Sequence, residues 1–342
     1  MRMSSFLKRT LIHLIVYLWP AFGLAQTASS FHPSELWPDN NGVHINAHGG
    51  GVLFRNGVYY WFGEDKTSGP GGNVAHSGIH CYSSTDLYNW KDEGIALPIS
   101  HDPASDITEG CIMERPKVLY NAKTKKYVMW FHLELKGHGY SAARCGVATS
   151  DSAAGPYTYV NSFRPDNAMS RDMTLFEDDD GTAYLICASE DNSTTHVSQL
   201  TDDYLGTTGN FIRAFKWWSE APAVFKYQGK YYYVGSHCSG WAPNAAMSAV
   251  ADSMLGPWKA LGNPCRGDQH QVETTFGSQS TYVLPVAGKP GAFIFVADRW
   301  RPENPIDGRY VWLPIEFENG KPLVRWMPEW NLGVFDSSTA GN

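Results

Sequence analysis

One pattern of apolar and polar positions recurs five times along the chain. An apolar pair is followed by a polar turn and an aromatic-rich segment, as in GGVLFRNGVYYWFGE from Gly50. Two such segments flanking Gly, Asn or Asp residues predict a β-hairpin. The other four copies begin at Pro116, Met173, Pro222 and Ser280. No helical period competes with this pattern after residue 25.

A second, weaker hairpin pattern follows the first ones. Examples are IHCYSSTDLYNWKDEG from Ile79 and CGVATSDSAAGPYTYVN from Cys145. Two hairpins per repeat form a four-stranded sheet of the size of a propeller blade. The sequence therefore predicts an all-β fold, a single five-bladed β-propeller domain over residues 26–342. Equivalent apolar positions of the five repeats are Val52, Val118, Leu175, Val224 and Val283.

Residues 1–25 stand apart from the repeats. Basic residues at positions 2, 8 and 9 precede an apolar run from Leu11 to Leu24, and small residues surround Ala25. This order is typical of a secretory signal peptide, cleaved here near Ala25. The apolar run is too short for a membrane span. We therefore expect an exported protein, periplasmic or secreted, without a membrane span.

Composition narrows the classes of partner. A net charge of −7 and a pI near 5.9 argue against a nucleic-acid partner. Thirteen Trp and 18 Tyr residues suit stacking on sugar rings, although a large β core also uses them. The six cysteines show no CxxC or zinc spacing, so buried free thiols are the simpler interpretation, while export makes disulfides possible.

The start of each inner strand carries candidate chemistry. In a propeller the innermost strands line the axis, so residues preceding them converge at one face. All five repeats place polar side chains there, which predicts a functional site. These residues are His48 in the first repeat, Glu114 and Arg115 in the second, Arg171 and Asp172 in the third, Glu220 in the fourth and Gln279 in the fifth.

Glu220 has the surroundings that a general acid needs. Glycoside hydrolysis requires a carboxylic acid that stays protonated near neutral pH, through an apolar setting or a neighbouring carboxylate. Trp217 and Trp218 flank Glu220 in sequence, and Asp172 could repel its negative charge while pairing with Arg171. The alternatives are an ordinary glutamate at a strand start and an ordinary Arg–Asp surface pair.

The motifs at these positions resemble glycoside hydrolase family 43, and its exo-β-1,3-galactanase subgroup most closely. They are HGGG from His48, MERPKVLYN from Met113, SRDM from Ser170, SEAP from Ser219 and GSQSTYV from Gly277. The resemblance implies an inverting hydrolase that releases galactose from β-1,3-galactan, such as the arabinogalactan backbone. It also implies that Glu220 is the general acid and that Asp172 tunes its pKa.

The catalytic base departs from the family pattern. Most members carry an aspartate on the first inner strand, but HINAHGGGVLF has no carboxylate between His44 and Phe54. In the galactanase subgroup a glutamine of the last blade takes this place, which corresponds to Gln279. Because a neutral amide is a poor base, we expect Gln279 to orient water. Glu114 is the carboxylate alternative, although the resemblance makes it a substrate-holding residue.

Further residues are expected to bind the sugar. Carboxylate and guanidinium groups can hydrogen-bond sugar hydroxyls, and aromatic residues on loops can stack on the rings. These candidates are Glu64, Arg115, Tyr140, Trp241 and Arg299. We expect no cofactor and no metal: EDDDG at residues 177–181 lacks calcium-loop spacing and fits a hairpin turn, and His270, the better candidate for an axial cation, is a weak one alone. The expected partner is a polysaccharide or oligosaccharide, bound by a monomer.

Two other functions remain open. Activity as an α-L-arabinofuranosidase or β-xylosidase would keep the fold and change the sugar, but the missing first-blade aspartate counts against it. A catalytically inactive carbohydrate-binding propeller is the second alternative. The presence of both Glu220 and Asp172 counts against that one.

Overall fold

The structure is a computed structural model that describes residues 27–336. The predicted signal peptide at residues 1–25 lies outside the described residues. The described chain folds mostly into β-strands, in five sheets whose neighbouring strands are sequential and antiparallel except for one short outer pair in the fifth. The strands of the first two sheets are β1 (His48–Arg55), β2 (Val58–Glu64), β3 (Gly78–Ser84), β4 (Lys91–Pro98), β5 (Ile112–Asn121), β6 (Lys126–Glu134), β7 (Arg144–Ser150) and β8 (Thr158–Phe163).

The third and fourth sheets repeat the same arrangement. Each has two hairpins, and the inner hairpin coincides with the aromatic-rich pattern of the sequence. Their strands are β9 (Met173–Glu177), β10 (Ala183–Ser189), β11 (Thr194–Leu200), β12 (Thr207–Phe215), β13 (Ser219–Tyr227), β14 (Lys230–His237), β15 (Ala246–Ala251) and β16 (Lys259–Gly262).

The fifth sheet has one additional strand at its outer edge. The short strand β17 pairs in parallel with β21, the outermost strand of the blade. The elements of this region are β17 (Cys265–Arg266), the helix α1 (Gln269–Glu273), β18 (Gln279–Pro285), β19 (Phe293–Arg299), β20 (Arg309–Glu318) and β21 (Lys321–Arg325). Short 3₁₀ turns occupy Pro165–Asn167, Thr275–Gly277, Pro305–Asp307 and Leu332–Phe335.

The five sheets close into a ring. The inner strands β1, β5, β9, β13 and β18 each contact the next one, and β18 contacts β1. A hydrogen bond from Thr281 Oγ1 to Gly50 O (2.9 Å) links the last blade to the first. The prediction of a five-bladed β-propeller is therefore confirmed.

The hydrophobic core lies between the blades, in five clusters that each join two neighbours. One cluster joins blades five and one and contains the indoles of Trp61, Trp90 and Trp312. The others lie between consecutive blades around the ring. Because each blade is covered on both faces, successive side chains of the inner hairpins are buried, as in the VMWF run of β6.

Two smaller expectations can be compared with the structure. EDDDG forms the turn between β9 and β10, with Gly181 at φ +82° and Asp178 paired to Lys226. The six cysteines are free in the described chain, and only Cys238 is less than fully buried. Among residues 27–336, no helix has the length and apolar character needed to cross a membrane.

Candidate active site

A cavity of about 280 Å³ opens on one face of the propeller. First and second strands of a blade are antiparallel, so the start of the first and the end of the second meet at this face. The cavity is lined by the four expected catalytic residues, Glu220, Asp172, Gln279 and Glu114. Four of the five predicted strand starts therefore contribute to the cavity, those of the second, third, fourth and fifth repeats.

A shared β-bulge shapes the inner strands of blades one, two and four. The strand register shifts after His48, Glu114 and Glu220. The next residue in each case is left-handed: Gly49 at φ +60°, Arg115 at +54° and Ala221 at +54°. This conformation is uncommon for residues other than glycine and often marks a functional constraint. It re-aims the side chains at the strand start toward the cavity.

The bulge also ties neighbouring blades together through carboxylates. The backbone N–H of Arg115 donates to Glu64 Oε1 of blade one (3.0 Å). The backbone N–H of Ala221 donates to Asp172 Oδ2 of blade three (3.0 Å). Two carboxylates of the cavity are therefore fixed by the backbone of the next blade.

The two carboxyl oxygens of Glu220 have different hydrogen-bond partners. Oε1 accepts a hydrogen bond from Asn192 Nδ2 (2.7 Å), and Oε2 lies 3.5 Å from Gln279 Nε2. Burial, and then repulsion by Asp172, raise the pKa of Glu220 to about 7. The expected source of burial was wrong, because Trp217 and Trp218 do not line the cavity. Trp218 is 59% exposed, and residues of other blades enclose the acid.

Asp172 is held by a different arginine from the one expected. Arg115 Nη2 lies 2.8 Å from Asp172 Oδ2 and replaces the predicted Arg171 partner. Arg171 instead donates to Asp191 Oδ1 (2.9 Å) and Tyr140 O (3.0 Å). The left-handed bulge turns Arg115 inward, which a strand without a bulge would not do.

The amide of Gln279 is fixed on both sides. Its Oε1 accepts hydrogen bonds from Arg115 Nη2 (2.6 Å) and Trp300 Nε1 (2.9 Å). Its Nε2 donates to Ser236 Oγ (3.0 Å). Its other amide N–H points to Glu220 Oε2 at 3.5 Å, which is long and therefore weak for a hydrogen bond.

Glu114 belongs to a buried chain of hydrogen bonds. Its Oε1 accepts from Tyr140 Oη (2.7 Å) and Asn73 Nδ2 (3.1 Å), and His132 Nδ1 lies 3.0 Å from Oε2. His132 Nε2 lies 2.9 Å from Glu134 Oε1. Burial alone would lower the pKa of His132, but its two carboxylate partners raise it to about 9. Burial would raise the pKa of Glu114, but His132 holds it far below its usual range.

The comparisons with known proteins agree with this geometry. The model of glycosyl hydrolases family 43 matches residues 52–281. The chain belongs to glycosyl hydrolases family 43. It is therefore a glycoside hydrolase, as the motifs at the strand starts predicted.

Solved family 43 structures are similar over most of the chain. A family 43 β-1,3-galactosidase with galactodeoxynojirimycin is 48% identical, with a TM-score of 0.86 and coverage of 88% of this chain and 100% of that one. An exo-β-1,3-galactanase from Phanerochaete chrysosporium with galactose is 36% identical, with a TM-score of 0.81 and coverage of 90% and 69%.

A curated relative with another name is more distant. An arabinoxylan arabinofuranohydrolase from Paenibacillus polymyxa is 26% identical over 246 residues, which cover 62% of this chain. The matched part spans 37% of that relative.

The family 43 cavity includes most of the expected sugar-binding residues. Glu64, Arg115, Tyr140 and Trp241 line it. Burial raises the pKa of Glu64, which contacts the buried Lys66 ammonium. Tyr140 and Trp241 are 42% and 39% exposed, so their rings are accessible at the rim.

Arg299 and His48 are not part of the cavity lining. Arg299 donates to the carbonyls of Phe276 and Gly277 and to Ser34 Oγ, so its guanidinium has a structural role. The next residue, Trp300, lines the cavity instead, since successive side chains of a strand point to opposite sides. His48 is fully buried against Tyr310, with Nδ1 3.6 Å from Asp298.

Several lining residues were not among the predicted site residues. Lys66, His132, Asn192 and Trp300 lie on or just after the second strand of their blade. Ligand oxygen and nitrogen atoms of Glu114, His132 and Asp172 lie within 4.8 Å of one another. Arg115 already pairs with Asp172, and both His132 nitrogens face carboxylates, so this group does not fit a metal site.

Proposed function

We propose that this family 43 hydrolase is an exported, inverting exo-β-1,3-galactanase that releases galactose from β-1,3-galactan. The observation that carries the proposal is the presence of Glu220 and Gln279, a carboxylic acid and an amide, together in the lining of the cavity. Its similarity to a β-1,3-galactosidase and an exo-β-1,3-galactanase supports the same substrate. Export and a monomeric state stay predictions from the sequence.

Glu220 supplies the proton to the leaving oxygen. Because its pKa is raised to about 7, a large fraction of the carboxyl is protonated in mildly acidic solution. Asn192 donates to Oε1 at 2.7 Å, whereas the amide of Gln279 is 3.5 Å from Oε2, so Oε2 is the oxygen better placed to carry the acid proton. Asp172 keeps Glu220 protonated through charge repulsion and is itself held by Arg115.

Gln279 orients the attacking water by its amide N–H, and the water releases its proton to solvent as its oxygen bonds to the sugar carbon. The amide oxygen of Gln279 already accepts two hydrogen bonds, so the amide nitrogen is the contact directed toward the reacting centre. Glu114 is a weaker candidate for the base, since a carboxylate with a very low pKa removes protons poorly. Instead, Glu114 and Glu64 accept hydrogen bonds from sugar hydroxyls.

The size of the cavity suits exo cleavage. At about 280 Å³ it lies at the lower end of the range for small-molecule pockets, which favours one terminal sugar over a long internal segment. The exposed rings of Tyr140 and Trp241 at its rim provide surfaces on which sugar rings can stack.

Incubation with β-1,3-galactan, with product anomers followed by NMR, tests this function. We expect galactose to be the main product, released first as the α anomer because the β linkage is inverted. Aryl α-L-arabinofuranoside and aryl β-xyloside should be poor substrates. Galactose released first as the β anomer, or efficient cleavage of either aryl glycoside alone, would refute the proposal.

Two substitutions separate the candidate bases. Glu114→Gln should raise KM strongly, because it removes an acceptor for sugar hydroxyls and the partner of His132. Gln279→Ala should mainly lower kcat, by roughly 10²-fold or more, because water loses its orientation. If Glu114→Gln abolished kcat with KM unchanged, Glu114 would be the base.

A further inference from the structure

Lys117 is a buried amine beside the catalytic residues. It is 2% exposed and does not line the cavity. Its Nζ donates to the carbonyl oxygens of Gly49 (3.1 Å) and Arg115 (3.3 Å). Both acceptors are the left-handed residues of the bulges in blades one and two. The amine therefore connects the two bulges across the blade boundary.

The backbone around Lys117 is shaped to admit this side chain. A Cβ atom on Gly51 would lie 2.4 Å from Lys117 Cδ, so glycine is required there. Burial, and then repulsion by Arg115, lower the pKa of Lys117 to about 7. An amine that is costly to bury indicates a specific task, since an apolar side chain would fill the same space more cheaply.

Arg115 is the residue whose position depends on these bulges. Its guanidinium reaches Asp172 and Gln279, and its backbone N–H reaches Glu64. At φ +54° its conformation is strained for a side chain of this size, so other contacts must hold it in place. The bond from Lys117 to the Arg115 carbonyl is such a contact.

We propose that Lys117 is a positioning residue, whose hydrogen bonds fix the bulge that aims Arg115 at Asp172 and Gln279. The inference rests on the proposed function for the roles of those two side chains. The effect of Lys117 on Arg115 can be measured with any glycoside that the parent enzyme cleaves. The test therefore remains valid if the natural substrate is not β-1,3-galactan.

Lys117→Met removes the donor and keeps a side chain of similar bulk. We expect its crystal structure to show Arg115 Nη2 beyond hydrogen-bond distance of Gln279 Oε1, and kcat to fall by about 10²-fold with a smaller change in KM. Lys230→Met is the matched control, because the Lys230 ammonium pairs with Asp252 away from the cavity. Its activity should stay within about twofold of the parent.

The pH profile separates positioning from a general loss of structure. Arg115 lowers the pKa of Glu220, so its displacement should move the alkaline limb of kcat/KM upward by about half a pH unit. The other groups facing Glu220 are Asp172, Glu114, Arg171, Asn192, Gln279 and the Cys238 thiol. Structural damage alone would lower the rate by one factor at every pH.

Chemical rescue provides a second arm if the Met variant does not fold. Lys117→Ala, folded with ethylammonium chloride, should recover at least about tenfold in kcat relative to sodium chloride of equal ionic strength. The alkaline limb should return toward that of the parent. A Met variant with Arg115 in place and an unshifted limb, or rescue without a return of the limb, would overturn the proposal.

Discussion

At the scale of single residues, Glu220 combines two requirements that oppose each other in water. A general acid must be protonated near neutral pH, yet it must release its proton during the reaction. The cavity meets both, because burial and Asp172 raise the pKa of Glu220 while Arg115 and Arg171 limit the increase. Its surroundings, contributed by four blades, therefore set its chemistry, and the sequence neighbours of Glu220 do not.

This environment predicts a pH-dependent effect of Glu220→Gln on stability. The folded pKa, about 7, lies above the ordinary value of 4.5, so folding disfavours the ionised carboxyl. The resulting cost is absent well below pH 4.5 and fully present above about pH 7. The variant should therefore be more stable than the parent at pH 8, by about 1–3 kcal/mol, and similar to it at pH 4.5.

Thermal or denaturant unfolding at both pH values measures the difference. The same variant should have almost no activity on unactivated glycosides, because it cannot protonate the leaving oxygen. A stability gain of equal size at both pH values would show that the ionised form of Glu220 carries no cost in the folded protein.

At the scale of elements, the inner-strand bulge depends on the glycines of HGGG. Gly49 is left-handed, and a Cβ atom on it would lie 2.1 Å from Glu64 Oε1. Gly57, in the turn between β1 and β2, is also left-handed, but nothing lies within 4 Å of its Cβ position. Alanine at Gly57 therefore adds only backbone strain, whereas alanine at Gly49 adds the same strain and also displaces the Glu64 side chain.

Gly49→Ala and Gly57→Ala form a matched pair of variants. Both should lose about 1 kcal/mol of stability through the left-handed conformation. Only Gly49→Ala should also push the Glu64 carboxylate off the Arg115 N–H, and we expect its kcat/KM to fall by about 10²-fold. Equal kcat/KM values for the two variants would show that the Glu64 position is not needed for activity.

The residues at the start of the first strand of each blade were predictable from the sequence, and those at the end of the second strand only in part. Repeated apolar markers fixed the register of each first strand, so Glu114, Asp172, Glu220 and Gln279 could be placed on one face. The ends of the second strands lack such a marker. His132 lies within an apolar strand pattern, and only its contacts with Glu114 and Glu134 in three dimensions reveal its role.

A shift of one residue in a strand also changes the side to which a side chain points. Arg299 was predicted and Trp300 lines the cavity, because the last positions of β19 alternate between two faces. His48 occupies the predicted position but turns into the boundary with blade five, against Tyr310. Bulges and side-chain alternation at strand ends are therefore the parts of the site that a linear pattern predicts poorly.

At the scale of the whole molecule, every cavity residue depends on the closure of the ring. Each blade consists of consecutive strands, and the N-terminal segment meets the last blade through the bridge between Phe31 and Trp330 and through single hydrogen bonds such as Ser34 N–H to Tyr310 O (2.7 Å). Within the described part of the chain, no strand of one blade is completed by the other, so closure between blades five and one combines these few hydrogen bonds with extensive side-chain packing. The aromatic cluster there contains Phe31, Trp330 and Trp312.

Trp330→Ala should weaken this closure without touching the cavity. Trp330 is 4% exposed, stacks on Phe31 at 4.3 Å and donates its Nε1–H to Trp312 O (2.8 Å). Its removal should lower the free energy of unfolding by about 3–5 kcal/mol. At 25 °C, kcat/KM should stay close to that of the parent, because the folded ring still holds the cavity in place.

Calorimetry of this variant beside Leu36→Ala distinguishes closure from a general effect of truncation. Leu36 is 62% exposed near the same end of the chain, so its loss should change the melting temperature little. If the blades form one cooperative unit, Trp330→Ala should melt several degrees lower in a single transition. A separate low-temperature transition would instead show that the closing boundary opens independently, and activity should then be lost in step with that transition because Gln279 and Glu64 lie on its two sides.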